Sequence, residues 1–110
     1  MSDCIFCKIA RGEMDTDLLY EDDRAVAFRD IDPQAPVHVL IIPREHFISV
    51  EEMEDENLIG HLIAVGSRVA GELGVKSHRL VLNTGRDAGQ AVFHVHLHLL
   101  AGRSMGWPPG

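Results

Sequence analysis

Apolar and polar positions alternate along this chain with two different periods, and each change of period marks an element. Near the start, CIFCKIA sets Phe6 and Ile9 three apart and spaces Cys4 and Cys7 the same way, which predicts one short helix capped by Asp3 and ended at Gly12. LLYE and AVAFRD, separated by the turn-like DDR, read as a hairpin of two strands, Leu18 to Glu21 and Ala25 to Arg29. DIDPQAP follows as a loop. Residues 37–42 are aliphatic nearly throughout, as a buried third strand is, and Pro43 is expected to end it. Ser49 with Glu52 resembles a capping box on a brief helix.

From about Asp55 the apolar residues Leu58, Leu62, Val65, Val69 and Leu73 recur every three or four positions up to Gly74, which predicts one long amphipathic helix. Residues 79–84 and 92–100 read as the last two strands, joined by the Gly-rich GRDAG. The expected architecture is α+β: a five-stranded antiparallel sheet with one long helix and a short N-terminal helix, residues 1–110 forming a single domain. The tail GRSMGWPPG is too rich in Gly and Pro for regular structure, and Trp107 within it needs a surface to cover.

Charge narrows the function. Seventeen acidic against ten basic residues give a net charge of -7, a field that repels polyanions and argues against nucleic acid as a partner. Any phosphate bound here must be held by local donors. MSDCIF lacks the basic and apolar regions of a signal peptide, and the longest apolar run already contains His38, so no membrane partner and a cytoplasmic location are expected. In that reducing compartment a disulfide between Cys4 and Cys7 is disfavoured, and a metal or redox role outranks it.

The stretch GQAVFHVHLHLLAG carries the chemistry. On a strand, alternate side chains share a face about 6.6 Å apart, so His94, His96 and His98 would project one way while Val95, Leu97 and Leu99 enter the core. Two chemistries use such a row. Paired histidines can hold zinc with an open position for water, as in a metallohydrolase. Alternatively, a neutral imidazole attacks an electrophile and forms a covalent intermediate while a neighbouring imidazolium balances charge. Gly85, Gly89, Gln90, Ala91 and Val92 can aim backbone N–H groups into one concavity, and Asn83 offers an amide beside them, which together favour a phosphate pocket.

HVHLHLL fits the pattern His-x-His-x-His-x-x, with x hydrophobic, at every position, and YEDD, DIDPQAP and WPPG accompany it in order. The chain thereby resembles the histidine triad (HIT) superfamily and, within it, the HINT branch of nucleotide-binding proteins and purine nucleoside phosphoramidases. The resemblance implies that His96 is the nucleophile on the α-phosphorus, that His98 contacts the phosphate, and that His38 supports them. It implies that Asn83 and the backbone N–H groups of Gly89, Gln90, Ala91 and Val92 hold phosphate oxygens. Asp30 would bind the ribose hydroxyls, and Ile5, Phe6, Ile9, Phe28 and Ile31 would form the slot for the base.

The same resemblance implies a homodimer in which each Trp107 tail reaches toward the partner's active site. The substrate would be a purine nucleoside 5'-phosphoramidate, the product a nucleoside monophosphate, and catalysis would need no cofactor. Several bacterial-type relatives carry a structural zinc, which here would fall on Cys4, Cys7, His46 and His94. Hydrolysis of dinucleoside polyphosphates, as in another branch, and a non-catalytic nucleotide-binding scaffold remain alternatives. Many relatives have Ser or Thr where this chain has Ala91, so a hydroxyl near the phosphate is missing. His61, His78 and the acidic run EEMEDE read as solvated surface.

Overall fold

The expected hairpin forms with the bounds read from its pattern, as β1 (Leu18–Glu21) and β2 (Ala25–Arg29). The computed structural model, which describes residues 4–110, continues it with β3 (Val37–Pro43), β4 (His78–Leu82) and β5 (Leu97–Ala101). Every pairing is antiparallel and the strand order is β1-β2-β3-β5-β4. Two helices complete the α+β fold: α1 (Ile5–Ala10) and α2 (Glu56–Glu72). No helix among the described residues is long and apolar enough to cross a membrane.

The two-residue period of the strands sorts the core into two layers. Ala25, Ala27, Val39, Ile41, Leu97 and Leu99 face α2 and pack with Leu58, Leu62, Val65 and Val69. Val26, Phe28, Leu40 and Ile42 face the other way and pack with Phe6, Ile9 and Ala10 of α1. Each fully buried Leu or Val in these layers contributes about 1.5–3 kcal/mol. With three interior glycines, Gly60, Gly66 and Gly71, the helix has weak intrinsic propensity, so its apolar stripe against the sheet is what holds α2. The Asp55 side chain accepts the Asn57 N–H at its start. At its end Gly74 takes φ +73°, and the N–H groups of Gly74 and Val75 donate to Gly71 and Ala70, the Schellman closure.

Several local expectations change. Asp3 lies outside the described residues; Cys4 occupies the N-cap of α1, and its Sγ accepts the Cys7 N–H. Ser49 makes no side-chain cap for the turn Val50–Glu52, and Glu52 instead accepts the N–H of Ile48 at 2.7 Å. The fourth strand ends at Leu82 rather than at residue 84. The fifth begins at Leu97 rather than at residue 92. Its shortening has a cause. The β3–β5 register, extended, would set Pro43 opposite Val95, but Pro43 has no N–H to give. Its carbonyl accepts from His94 Nε2 at 2.9 Å, and the Val95 N–H goes to Phe47 O at 2.9 Å.

His61 is not a free surface residue. Its Nε2 lies 2.6 Å from Asp22 Oδ2, which also accepts from Tyr20 Oη at 2.7 Å, while Asp22 Oδ1 accepts the N–H groups of Arg24 and Ala25. One carboxylate thus ties the β1–β2 turn to α2. Burial works to raise the Asp22 pKa, but the bonds from Tyr20, the two amides and His61 outweigh it and hold the group below the ordinary carboxylate range. A depressed folded-state pKa contributes stability above the unfolded value, near 4, and the contribution is lost as pH falls toward the folded value. Asp22→Asn is therefore expected to cost about 1–3 kcal/mol at pH 7, with the gap to the parent chain closing below about pH 3. Urea unfolding across pH measures this, and a gap independent of pH would exclude the charge as its source.

Candidate active site and an adjoining metal-ligand cluster

Strand alternation carries His38 on β3 and His98 on β5 to the sheet face opposite α2. Because Leu40 is the direct partner of His98, His38 is its diagonal neighbour, within reach of an imidazole. The N–H of Gln34 donates to His38 Nδ1 at 2.9 Å, which obliges the neutral ring to carry its proton on Nε2. That N–H donates to His98 Nδ1 at 2.9 Å, with Asp30 Oδ2 3.4 Å away on the same nitrogen. His98 must then bear its own proton on Nε2. This nitrogen is the one buried side-chain polar atom among the described residues with no partner. Burial first, then the neighbouring His96 and His38, push His98 down to about 4, so it is neutral at pH 7. An orphaned buried N–H costs about 1–3 kcal/mol, which an acceptor on a ligand would relieve.

His96 is fixed differently. Its Nδ1 donates to the backbone carbonyl of His94 at 2.8 Å, which leaves the lone pair on Nε2. The ring of Phe6 meets it edge-on, 5.2 Å between centroids. His96 and His98 both line a cleft of about 330 Å³. Its wall contains all six of the residues expected around a nucleoside: Ile5, Phe6, Ile9, Phe28, Asp30 and Ile31. Gly89, Ala91 and Val92 of the glycine loop line it as well. Thr16, Arg29 and Leu40 join them without having been anticipated. Leu40 was legible, two positions from His38 on the same strand face; Thr16 lies in a connection with no periodicity to place it.

The first histidine of the row belongs to a second constellation. His94 is wholly buried, and burial pushes it down to about 4, so its ring is neutral. With Nε2–H donating to Pro43 O, its Nδ1 presents a lone pair. That atom lies 3.4 Å from Cys4 Sγ, 3.5 Å from Cys7 Sγ and 3.2 Å from His46 Nδ1, and Cys7 Sγ lies 3.2 Å from His46 Nδ1. All four ligand atoms fall within 4.8 Å of one another. A tetrahedral zinc with its usual bond lengths needs edges of about 3.3 Å between nitrogens and about 3.6 Å between sulfur and nitrogen. The donor set and spacing fit such an ion. Asp30, His38 and His98 also converge within 4.8 Å. There the Gln34 N–H engages one His38 nitrogen and a proton the other, so this trio forms a hydrogen-bond chain.

The family model described as "HIT domain" matches residues 11–105. The chain belongs to the HIT domain family. It is 50% identical over 111 residues to a HIT-like protein of Synechocystis, covering 98% of this chain and 97% of that one. A HIT family hydrolase from Legionella pneumophila superposes with a TM-score of 0.93 at 44% identity, over 98% of this chain and 100% of that chain. A histidine triad nucleotide-binding protein from Candida albicans gives 0.83 at 32% identity, over 98% of this chain and 85% of that chain.

Other expected site residues of this HIT chain are placed less simply. Within the glycine loop, the N–H of Gly89 donates to Arg86 O and that of Gln90 to Gly85 O, both at 3.0 Å, so these two amides are already engaged. Those of Ala91 and Val92 make no hydrogen bond among the described residues. Asn83 is not part of the cleft wall but abuts the loop, its Nδ2 3.5 Å from where a Cβ on Gly89 would sit. Gly89 has φ +101°, which a side chain would strain. Trp107 is 83% exposed within the chain.

Gln90 is buried and works through its side chain. Its Oε1 accepts the Gly85 N–H at 2.9 Å, and its Nε2 donates to Ile48 O at 2.6 Å and to Val92 O at 3.2 Å. It therefore clamps both ends of the glycine loop to the segment after β3. Gln90→Ala is expected to lose about 2–4 kcal/mol of unfolding free energy, read by urea denaturation. A loss under 0.5 kcal/mol, roughly that of an exposed surface change, would count against the clamp.

Proposed function

We propose that this HIT protein is a hydrolase of the HINT type, cleaving the phosphorus–nitrogen bond of purine nucleoside 5'-phosphoramidates through a nucleotidyl-imidazole on His96. The observation that carries the reading is the hydrogen bond from His96 Nδ1 to His94 O, which leaves Nε2 as the free ring nitrogen in the wall of an apolar cleft. In the first step the His96 Nε2–P bond forms and the P–N bond breaks, the amine leaving with a proton taken from solvent water, which the attacking water of the second step gives back. In the second, water attacks phosphorus, the P–N bond to His96 breaks, and the nucleoside monophosphate departs. His98 Nε2–H donates to a phosphoryl oxygen, which satisfies its orphaned buried donor. The free N–H groups of Ala91 and Val92 serve the same charge, and Asp30 accepts from the ribose hydroxyls while the Phe6 and Phe28 pair flanks the base.

The Cys4, Cys7, His46 and His94 cluster would hold a structural zinc. Such an ion, closed by four protein ligands, supplies cross-linking between α1, the segment after β3 and the histidine row, with no open position for water. A homodimer also belongs to this reading. The outer edge of β4 has no strand partner among the described residues, and beside it Ile59, Ile63 and Leu82 line an apolar hollow of about 200 Å³ against α2. Ala91 puts a methyl in the cleft wall where a hydroxyl would have helped the leaving group, the one feature that favours a nucleotide binder over an enzyme.

Incubation with an adenosine 5'-phosphoramidate of lysine is expected to release AMP, and mass spectrometry of quenched protein to show a nucleotidyl adduct on His96. His96→Ala should lower the rate by at least roughly a thousandfold. AMP binding without cleavage, or preferred cleavage of diadenosine triphosphate, overturns the phosphoramidase assignment. Native mass spectrometry is expected to show a dimer carrying two zinc ions, with Cys7→Ser losing the metal and several kcal/mol of stability. A monomer, or a metal-free protein whose Tm is indifferent to chelator, refutes those parts.

A further inference from the structure

One side of the glycine loop has no part in the site described so far. Of the seven large apolar side chains exposed among the described residues, three, Ile5, Ile48 and Phe93, stand together. Grouped exposure of this kind marks a binding surface more often than scattered exposure does. The three wall a hollow of about 610 Å³, larger than the histidine cleft, and Glu52 lines it with them. The two spaces share Ile5, Ala91 and Val92, while His96 and His98 line the cleft alone. The hollow therefore opens across the Ala91 and Val92 strip from the imidazoles.

The fold holds this wall in place. Gln90 Nε2 donates to both Ile48 O and Val92 O, so the segment after β3 and the glycine loop keep a fixed spacing. Glu52 Oε1 accepts the Ile48 N–H at 2.7 Å, which ties the carboxylate to the same segment, and its Oε2 has no partner among the described residues. No lysine or arginine lines the hollow, and Glu51 and Glu54 stand close to Glu52 in sequence, so the local potential is negative.

We infer that the hollow receives the amine side of the substrate, and that the amine it fits carries an apolar chain ending in a second, cationic group, as a diamine does. The inference rests on the phosphoramidase reading above. In that reading the leaving nitrogen lies across phosphorus from His96 Nε2, in line with the attack, and beside the Ala91 methyl. Ala91 is also where the cleft passes into the hollow. A methylene chain then covers Ile48 and Phe93 and takes their apolar surface out of water. Its terminal ammonium meets the free oxygen of Glu52, which a terminal carboxylate would meet with like charge. Ile48, Glu52 and Phe93 thus set specificity for the leaving group without touching a reacting atom.

Four adenosine 5'-phosphoramidates test this, those of methylamine, butylamine, diaminobutane and γ-aminobutyrate. With the intact protein, kcat/KM is expected to rank diaminobutane above butylamine and butylamine above γ-aminobutyrate, the extremes differing by roughly tenfold. The amines differ in intrinsic leaving ability, but that difference cancels between parent and variant. Glu52→Gln, which keeps an oxygen for the Ile48 N–H, should therefore lower the diaminobutane to γ-aminobutyrate ratio by roughly fivefold. Phe93→Ser should shrink the gain from methylamine to butylamine by roughly threefold. A ratio unchanged in Glu52→Gln, or a parent chain that prefers the carboxylate-ended amine, overturns this inference and leaves the phosphoramidase reading standing. Cleavage of none of the four ends both. Should Glu52→Gln fail to fold, Phe93→Ser carries the test, since an unaltered gain in it is equally fatal.

Discussion

His94 is the point on which the rest of this structure turns. Its ring, buried without exposure to water, donates from Nε2 to the carbonyl of Pro43 and aims Nδ1 at Cys4, Cys7 and His46, while its backbone carbonyl accepts from His96 Nδ1. One residue therefore joins the end of β3, the N-terminal helix and the second histidine of the row. Its two ring nitrogens cannot exchange duties, because the Pro43 carbonyl only accepts and the sulfur-facing nitrogen must then be the lone pair. The tautomer of His94 follows from that constraint, and the orientation of His96 from the position of the His94 backbone.

A second chain of tautomers runs independently through the same face. It starts at the Gln34 amide, passes through His38, and ends at His98 Nε2, where a donor is left buried and unmatched. The two chains leave neighbouring imidazoles in complementary states, a lone pair on His96 and an N–H on His98. Their ring centroids lie 4.9 Å apart. In the reading proposed above, a nucleophile beside a hydrogen-bond donor is what attack at phosphorus asks of a site, and burial keeps the donor ring of His98 uncharged at neutral pH.

The division of the sheet into two layers explains how an enzyme-like face coexists with a small core. α2 covers one face with a continuous aliphatic layer, which frees the other face to carry imidazoles over a thinner layer built by α1. Phe6 belongs to that thinner layer and also touches His94 and His96 edge-on. Packing of α1 and orientation of the histidine row are therefore coupled through one aromatic ring, whatever further cross-link the cysteines provide.

The sequence alone determined the strands of the hairpin, the third strand, the long helix and the histidine row, because each is written in a local period: two for Val26 and Phe28, three to four for Leu58 to Val69. The six side chains expected around a nucleoside, which share one cleft wall, and the cysteine and histidine set around His94, were legible only through the family pattern, since no period links Cys4 to His94. Tertiary structure decided what local pattern has no means to encode. It halted the fifth strand at Leu97, because Pro43 has no N–H and its carbonyl is taken. It gave Gln90 a clamping side chain in place of a free amide, drew His61 onto Asp22, and fixed which nitrogen of each histidine carries the proton. Those outcomes depend on which carbonyl or amide, distant in sequence, arrives within 3 Å, and only the folded chain supplies that.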